Sequence, residues 1–341
     1  MYFHYLHDYV NGVIYTEALH IALRLRLFEK IGDDTVTYEE ICRRLEKKGG
    51  TLKSLLHLLS TMQVLLRHGD LYWNTDVAKQ YLIQKSPQYL GGHVEYLLSN
   101  VVPKIRENSQ QLFFSAGRRA KSPEEQYEED RNSSFYSSKD QMISFSEFAS
   151  PYAQSDGKYL AENYDFSKCS TLCDIGGNDG SFLIPIIEAH SHLKGIVFDL
   201  SELNKRAETK IGESIARGRL RFIPGNIFHD PIPRADIYHC GFVLHDWPDF
   251  TAEKILGKII SFLTRGDTLI LSGSFLDDPK QEKQLQLARD NFALVAQIEA
   301  LKSLGGEKTT REYEDWLKAL GMRVSGRLFA SGRSFLMSEK I

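Results

Sequence analysis

A histidine and an aspartate stand side by side at His245 and Asp246, directly after the stretch DIYHCGFVL. A neutral imidazole, with its usual pKa near 6.5, accepts a proton at physiological pH. Such a residue suits removal of a proton from a hydroxyl whose own pKa is near 10, such as a phenol. A histidine at a strand end can equally be a purely structural side chain, so the rest of the sequence must decide between the two roles.

A glycine-rich turn follows another apolar stretch, in DIGGNDG at residues 174–180. It lacks the Gly-Lys-Ser/Thr ending of a phosphate loop, and Asn178 and Ser181 replace two glycines of the dinucleotide motif G-x-G-x-x-G. The turn has an acidic residue, Asp174, and no phosphate-binding lysine. This combination indicates a ligand that carries positive charge. S-adenosylmethionine (SAM), with its ammonium and sulfonium groups, is such a ligand. The alternative is an ordinary turn between a strand and a helix.

Three further candidate residues follow the next two apolar stretches. Asp199 lies 25 residues after Asp174, where a carboxylate can accept hydrogen bonds from both hydroxyls of a ribose. Asn226 and Ile227 place an amide and an apolar side chain where an adenine would lie. Asp199 can also serve as a helix cap, and the two roles are compatible.

The elements that must position these residues alternate regularly from residue 170 onwards. Apolar strands separated by helical stretches predict a doubly wound α/β sheet, in which ligands lie at the carboxyl ends of the strands. The last segment, MRVSGRLFASGRSFLMSEK, predicts an antiparallel hairpin instead of another β-α-β unit. The predicted strands are TLCDIG, GIVFDL, RLRFIPG, DIYHCGFVL and TLILSGSFL.

The N-terminal part of the chain predicts helices followed by a short β-hairpin, the winged-helix arrangement of many DNA-binding proteins. Residues 1–100 carry eleven Lys/Arg and eleven Asp/Glu, so the charge expected of a DNA-binding surface is missing. We therefore expect a buried, self-associating domain and not a transcription regulator. The predicted helices are YTEALHIALRLRLFEKIG, VTYEEICRRLEKKGG and TLKSLLHLLSTMQVLLR, and the predicted hairpin is HGDLYWNTDVAKQYL.

The segment between these regions, residues 90–165, is helix-rich and aromatic, with a polar stretch at 117–134 that we predict to be a solvated loop. These aromatic side chains can form core or the wall of a pocket for a flat molecule. They are Tyr96, Phe113, Phe114, Phe135, Tyr136, Phe145, Phe148 and Tyr152. The predicted boundaries are a winged-helix domain at 1–100, a helical connector at 101–165 and an α/β domain at 166–341.

The whole chain sets broader limits. A formal net charge of −3 gives no general attraction to nucleic acid or to anionic membranes. The sequence has no apolar run long enough to span a bilayer and no signal-peptide pattern. Four cysteines without metal-binding spacing indicate a reduced, cytoplasmic protein with no structural metal.

The motifs in this order resemble class I SAM-dependent O-methyltransferases that act on plant phenylpropanoids, hydroxyindoles and bacterial polyketides. The resemblance covers residues from about 17 to 336 and depends most on LHDWPDF, DIGGNDG and GGEKTTREYEDWLKALGM. It implies a Rossmann-like SAM domain with a C-terminal hairpin, preceded by a winged-helix domain that forms a homodimer. It also implies a hydroxylated aromatic or polyketide-like acceptor from secondary metabolism.

The resemblance further assigns a role to each matching position. His245 corresponds to the general base, Asp246 lies beside it, and Glu307 corresponds to a glutamate that orients the histidine. The residues that correspond to the cofactor site are Asp174, Gly176, Gly180, Asp199, Asn226 and Ile227.

Two positions depart from the family pattern. Asn178 replaces a glycine, but asparagine tolerates a left-handed backbone better than most residues, so we expect the turn to persist. Gly273 replaces an acidic residue that usually ends the fifth strand, which removes half of the expected carboxylate support for the base. The alternatives are therefore N-methylation, or SAM-dependent chemistry without methyl transfer, such as decarboxylation, hydroxylation or a pericyclic step.

Overall fold

The computed structural model describes residues 2–47, 50–86, 88–103, 122–132, 138–277, 306–330 and 333–341. The chain forms two compact units, residues 1–102 and 103–341. Among the described residues, no helix combines the length and apolarity required to cross a bilayer.

The N-terminal unit combines helices with a small antiparallel sheet of order β1-β3-β2. Thr37 caps the third helix by accepting a hydrogen bond from the backbone N–H of Glu40. Fully buried side chains, including Phe28, Leu59 and Tyr72, form its core. The elements are α1 (Tyr2–Arg24), α2 (Leu27–Ile31), β1 (Val36–Thr37), α3 (Tyr38–Leu45), α4 (Gly50–Thr61), β2 (Leu65–His68), β3 (Leu71–Asn74), α5 (Asp76–Tyr81) and α6 (Gly91–Tyr96), which continues as a π-helical turn, Leu97–Val101.

The predicted hairpin is present in this unit, but three predicted boundaries are wrong. The first predicted helix breaks between α1 and α2, where Arg26 has a φ of 52°. The third predicted helix ends at Thr61, and Leu65–His68 forms a strand of the hairpin instead. Residues 76–81 are helical because Thr75 caps them by accepting from the backbone N–H of Ala78. Apolar periodicity alone did not distinguish a strand paired to β3 from the end of a helix.

The larger unit contains a seven-stranded sheet of order β6-β5-β4-β7-β8-β10-β9, with β10 antiparallel to both of its neighbours. The five predicted apolar strands and the C-terminal hairpin are therefore confirmed, except that residues 331–332 of its turn lie outside the described part. The helices are α7 (Pro123–Asn132), α8 (Lys139–Asn163), α9 (Leu183–Ala189), α10 (Asn204–Glu213), α11 (Asp249–Ser261) and α12 (Thr310–Ala319). The strands are β4 (Thr171–Ile175), β5 (Lys194–Asp199), β6 (Leu220–Pro224), β7 (Ile237–Gly241), β8 (Thr268–Gly273), β9 (Met322–Ala330) and β10 (Arg333–Lys340).

Alternating side chains of the strands form two buried clusters, one on each face of the sheet. Leu172 and Val197 pack with residues of α8, α9 and α10. Cys173 and Ile196 pack with residues of α11 and α12. Helices cover both faces of the sheet. A ligand can therefore reach polar groups at the carboxyl ends of the parallel strands β4, β5, β6 and β7.

Two predictions about connections are wrong. Within the polar stretch at 117–134, residues 123–132 form α7, and Asp130 of this helix accepts a hydrogen bond from Thr251 of α11 at 2.7 Å. The connection from β6 to β7, residues 225–236, contains no helix although a helical spacer was expected there. Phe113, Phe114, Phe135 and Tyr136 lie outside the described residues.

Candidate active site

The glycine-rich turn connects β4 to α9 and has an unusual backbone. Gly176, Asn178 and Gly180 have φ values of 71°, 54° and 82°. A side chain at Gly176 would collide with Val243, since a Cβ there would lie 2.5 Å from its Cγ2. The prediction that Asn178 tolerates a left-handed backbone is confirmed.

The side chain of Asp174 is buried and belongs to a chain of hydrogen-bonded polar side chains. His239 of β7 donates from Nδ1 to Asp174 Oδ1 at 2.6 Å, and its Nε2 lies 2.8 Å from Ser272 Oγ. The imidazole also stacks on Phe182, with ring centroids 3.8 Å apart. His239 therefore packs against Phe182 and also fixes the Asp174 carboxylate.

Asp199 at the end of β5 fastens this strand to the glycine turn. Its carboxylate accepts from the backbone N–H groups of Asn178 and Leu200, both at 2.7 Å. Burial raises the pKa of Asp199 to about 6, although the two backbone N–H donors act in the opposite direction. The two N–H donors favour the ionised form of the carboxylate and fix its position.

A cavity of about 310 Å³ opens at the carboxyl ends of β4, β5, β6 and β7. Its size is that of a site for a small organic ligand. It brings together four of the predicted cofactor positions, whereas Asp174 and Gly180 lie outside its lining. The lining residues are Met142, Phe145, Gly176, Asn178, Phe198, Asp199, Leu200, Glu202, Leu203, Gly225, Asn226, Ile227, Phe228, Phe242, Val243, Asp246 and Trp247.

Gly180 and Asn226 have local structural roles as well. A Cβ at Gly180 would lie 3.2 Å from Val197, so this glycine allows the turn to pack closely on β5. The Asn226 side chain accepts from the backbone N–H of Phe228 at 2.8 Å and so shapes the loop after β6. These contacts set the backbone on which the predicted adenine position depends.

A buried ionic cluster behind the turn was not found from the sequence. Asp179 accepts from Ser150 at 2.6 Å, from Arg206 at 3.1 Å and from Lys210 at 3.0 Å. These partners lie on α8 and α10, so one carboxylate connects the turn to both helices. Burial acts to raise the pKa of Asp179, but Lys210 and the other donors outweigh it and lower the value. No sequence spacing indicated this cluster.

His245 and Glu307 come together from distant parts of the chain. His245, in the turn after β7, donates from Nδ1 to Glu307 Oε1 at 2.7 Å, and its Nε2 lies 3.4 Å from Asp246 Oδ1. Burial lowers the pKa of His245, but the Glu307 and Asp246 carboxylates outweigh it and raise the pKa to about 9. Burial raises the pKa of Asp246 to about 6. The predicted triplet His245, Asp246 and Glu307 is therefore assembled in space.

The three residues face different spaces. Asp246 lines the 310 Å³ cavity, whereas His245 and Glu307 line a neighbouring cavity of about 10 Å³. Phe242 lines both cavities, with a left-handed φ of 54° that is unusual for a bulky residue. This backbone turns the chain between β7 and His245.

Arg333 at the start of β10 is a second group that the sequence did not reveal. Its guanidinium lies over the Phe242 ring, 4.7 Å from the centroid, and over Tyr152 at 5.6 Å. Its Nε lies 3.4 Å from Asp156 Oδ2. A fixed positive charge therefore supports Phe242 beside the histidine.

Taken together, the cavity at the carboxyl ends of four strands has room for a small ligand, and the buried histidine-carboxylate pair beside it has the chemistry to accept a proton.

Comparison with known proteins identifies the family. A model described as the O-methyltransferase domain matches residues 118–323, which is more than half of the chain. This chain belongs to the O-methyltransferase family. A model described as the O-methyltransferase dimerisation domain matches residues 7–84. The resemblance and the fold class inferred from the sequence are confirmed.

Individual relatives of this O-methyltransferase family member extend the comparison. The N,N-dimethyltransferase OxyT of Streptomyces rimosus is 30% identical, over 90% of this chain and 87% of OxyT. A 3-hydroxy-5-methyl-1-naphthoate 3-O-methyltransferase of Streptomyces sahachiroi is 27% identical, over 93% of this chain and 88% of its own length. Human N-acetylserotonin methyltransferase, solved in complex with SAM, shares the fold with a TM-score of 0.82 at 21% identity, covering 100% of this chain and 98% of its own.

Proposed function

We propose that this protein transfers the methyl group of SAM to a hydroxyl of an aromatic or polyketide-like small molecule, with His245 as the general base. The observation that carries the proposal is the buried pair of His245 and Glu307 beside a cavity at the strand ends, in a chain of the O-methyltransferase family. The reaction requires both features, because the cavity would bind the ligands and the base would remove the proton of the acceptor.

The residues that line the larger cavity fit SAM. Asp199 offers an ionised carboxylate to the ribose hydroxyls, and Asn226 and Ile227 offer an amide and an apolar side chain to the adenine. Gly176 has no side chain, so the backbone of the turn is open to the methionine portion. Asp174 and Gly180 would act indirectly, by holding that turn in position. SAM, when bound, supplies an electrophilic methyl group on a positively charged sulfur.

The chain's own residues then position the acceptor and move its proton. His245 Nε2 would accept the hydroxyl proton and so give the acceptor oxygen phenolate character, because a phenolate is a far better nucleophile than a phenol. Glu307 holds the imidazole through Nδ1, so that Nε2 is the atom available for the proton, and stabilises the imidazolium that forms. Asp246 lies close enough to stabilise the same positive charge.

The acceptor class is inferred from the cavity wall and from the relatives. Met142, Phe145, Phe242 and Trp247 offer apolar and aromatic surfaces to a flat molecule. The naphthoate methyltransferase among the relatives acts on an aromatic hydroxyl according to its name. We therefore infer an aromatic or polyketide-like acceptor, made in secondary metabolism.

We also propose that the protein is a homodimer through its N-terminal domain. The matched dimerisation domain supports this assembly. In the N-terminal unit, large apolar side chains are exposed that a second copy can cover. They are Val13, Ile14, Ile21, Leu66, Leu71 and Val77.

A second candidate reaction is N-methylation. The relative OxyT, at 30% identity, is named an N,N-dimethyltransferase. An amine acceptor would bind at the same cavity and give up its proton to the same base. The cofactor site would be the same in both reactions. Only the identity of the acceptor distinguishes O-methylation from N-methylation.

The test is mass spectrometry after incubation of the protein with isotopically labelled SAM and a panel of phenols and aromatic amines. The proposal predicts a gain of one labelled methyl group on a phenolic oxygen. Labelling of amines alone would favour the second candidate. Binding of the cofactor with no labelled product from any acceptor would favour SAM-dependent chemistry without methyl transfer.

A further inference from the structure

Among the residues that the structure describes, none donates a hydrogen bond to one oxygen of the Glu307 carboxylate. Oε1 accepts from His245, whereas Oε2 is buried and accepts from no donor in the described part of the chain. The side chain is only 1% exposed. Buried carboxylate oxygens normally accept at least one hydrogen bond, because a buried charge without donors is costly.

The cavity beside this oxygen is small. Its volume is about 10 Å³, which is room for a single water molecule or hydroxyl group. Gly273 borders it, and a Cβ at this position would lie 3.6 Å from Glu307 Oε2 and 3.1 Å from the Phe275 ring. The space therefore exists because residue 273 has no side chain.

We propose that the space beside Gly273 binds one hydroxyl-sized hydrogen-bond donor, which donates to Glu307 Oε2. With both oxygens engaged, the carboxylate is held in the orientation that receives His245 Nδ1. The bound donor thus takes the place of the acidic side chain that the family usually carries at the end of this strand, and it positions the base indirectly.

Two sources can supply this donor. One is a water molecule. The other, which rests on the proposed function, is a second hydroxyl or amino group of the acceptor, vicinal to the reacting hydroxyl. His245 lines the same small cavity, so a group that reaches the base also comes near Glu307 Oε2, and Phe242 lines both this cavity and the larger one.

The test compares Gly273→Ala with Gly273→Ser in the full-length protein. An alanine methyl group fills the space without donating, whereas a serine hydroxyl, one bond further out, can donate to Oε2. Gly212→Ala is the matched control, because a Cβ at Gly212 meets nothing within 4 Å. Each variant is assayed with a simple phenol and with the corresponding vicinal diol.

We expect kcat to fall about tenfold in Gly273→Ala, the order expected for losing one hydrogen bond to a charged group. KM for SAM should stay unchanged, and Gly273→Ser and Gly212→Ala should keep kcat near that of the parent. A loss with both acceptors identifies water as the donor. A loss with the diol alone identifies the acceptor's own second group.

Unchanged kcat in Gly273→Ala, or equal losses in the alanine and serine variants, would overturn the proposal. A crystal structure of the parent with S-adenosylhomocysteine and the diol tests it without turnover. It should show a water or acceptor oxygen at hydrogen-bond distance from Glu307 Oε2, and an empty space there would contradict the donor site. Absence of methyl transfer by the parent would count against the proposed function instead, and the crystal structure would still test the donor site.

Discussion

Nδ1 of His245 lies 2.7 Å from Oε1 of Glu307, although the two residues are 62 positions apart in the chain. His245 follows β7, one of the parallel strands of the sheet, and Glu307 precedes α12. The carboxylate fixes which ring nitrogen carries a proton, so it determines whether Nε2 is free to act as a base.

Replacement of this carboxylate by an amide should be unusually damaging, because Gly273 provides no second one. In Glu307→Gln the amide NH₂ can face Nδ1 and leave the proton on Nε2, which is then no longer a base. We expect kcat to fall by about 10² or more, with an unchanged affinity for S-adenosylhomocysteine. Steady-state kinetics and calorimetry test this expectation, and a loss below about threefold would show that the pair does not orient the base.

The raised pKa of His245, about 9, predicts a rising pH dependence. The neutral imidazole is the active form. If the pKa lies two units above pH 7, only about 1% of the His245 side chains are neutral at that pH. With a phenol of pKa near 10, kcat/KM should increase with pH from 7 and level off as pH passes about 9. In Glu307→Gln the same limb should move to lower pH. A flat profile between pH 6 and 9 would contradict a protonated resting histidine.

Asp199 should contribute directly to cofactor affinity. The residue lines the cavity, and its carboxylate also accepts hydrogen bonds from two backbone N–H groups. Its removal therefore affects both the proposed ribose contact and the turn. Calorimetry should show that Asp199→Ala weakens S-adenosylhomocysteine binding at least tenfold, about 1.4 kcal/mol. The neighbouring Glu202→Ala serves as a control that also removes a cavity-lining carboxylate. Equal affinity in Asp199→Ala and the parent would exclude the ribose assignment.

The N-terminal apolar surface predicts the assembly state. Light scattering at micromolar concentration should return about twice the chain mass of 39.0 kDa. Ile14→Glu places a charge on an exposed apolar position and should shift the mass towards that of one chain. A monomeric parent protein would contradict the proposed homodimer.

Much of the fold was predictable because it depends on local patterns. The five parallel strands of the sheet are short apolar runs, four of which end at or directly before a glycine or proline, and all five were located from the sequence. The C-terminal boundary of α4 was not predicted correctly, because Leu65 and Leu66 are as apolar as the helix before them. Only pairing with Asn74 and Trp73 of β3 makes these residues a strand.

The candidate site was predictable only where a motif carries it. His245, Asp199 and Gly176 belong to short motifs with a chemical meaning. Asp179, with partners on α8 and α10, depends on contacts between segments that no local spacing encodes. Arg333 is a similar case, since it reaches Phe242 only because β10 lies beside β8 in the sheet.

The most direct measurement of the central claim is turnover of His245→Ala with two acceptors of different acidity. With a phenol of pKa near 10 the variant should lose about 10²–10⁴ in rate, because no base removes the proton. With an acceptor already ionised at the assay pH, turnover should be largely restored, and S-adenosylhomocysteine should bind both proteins within about threefold. Near-normal turnover of the weakly acidic phenol by His245→Ala would contradict the account and leave positioning alone as the source of catalysis.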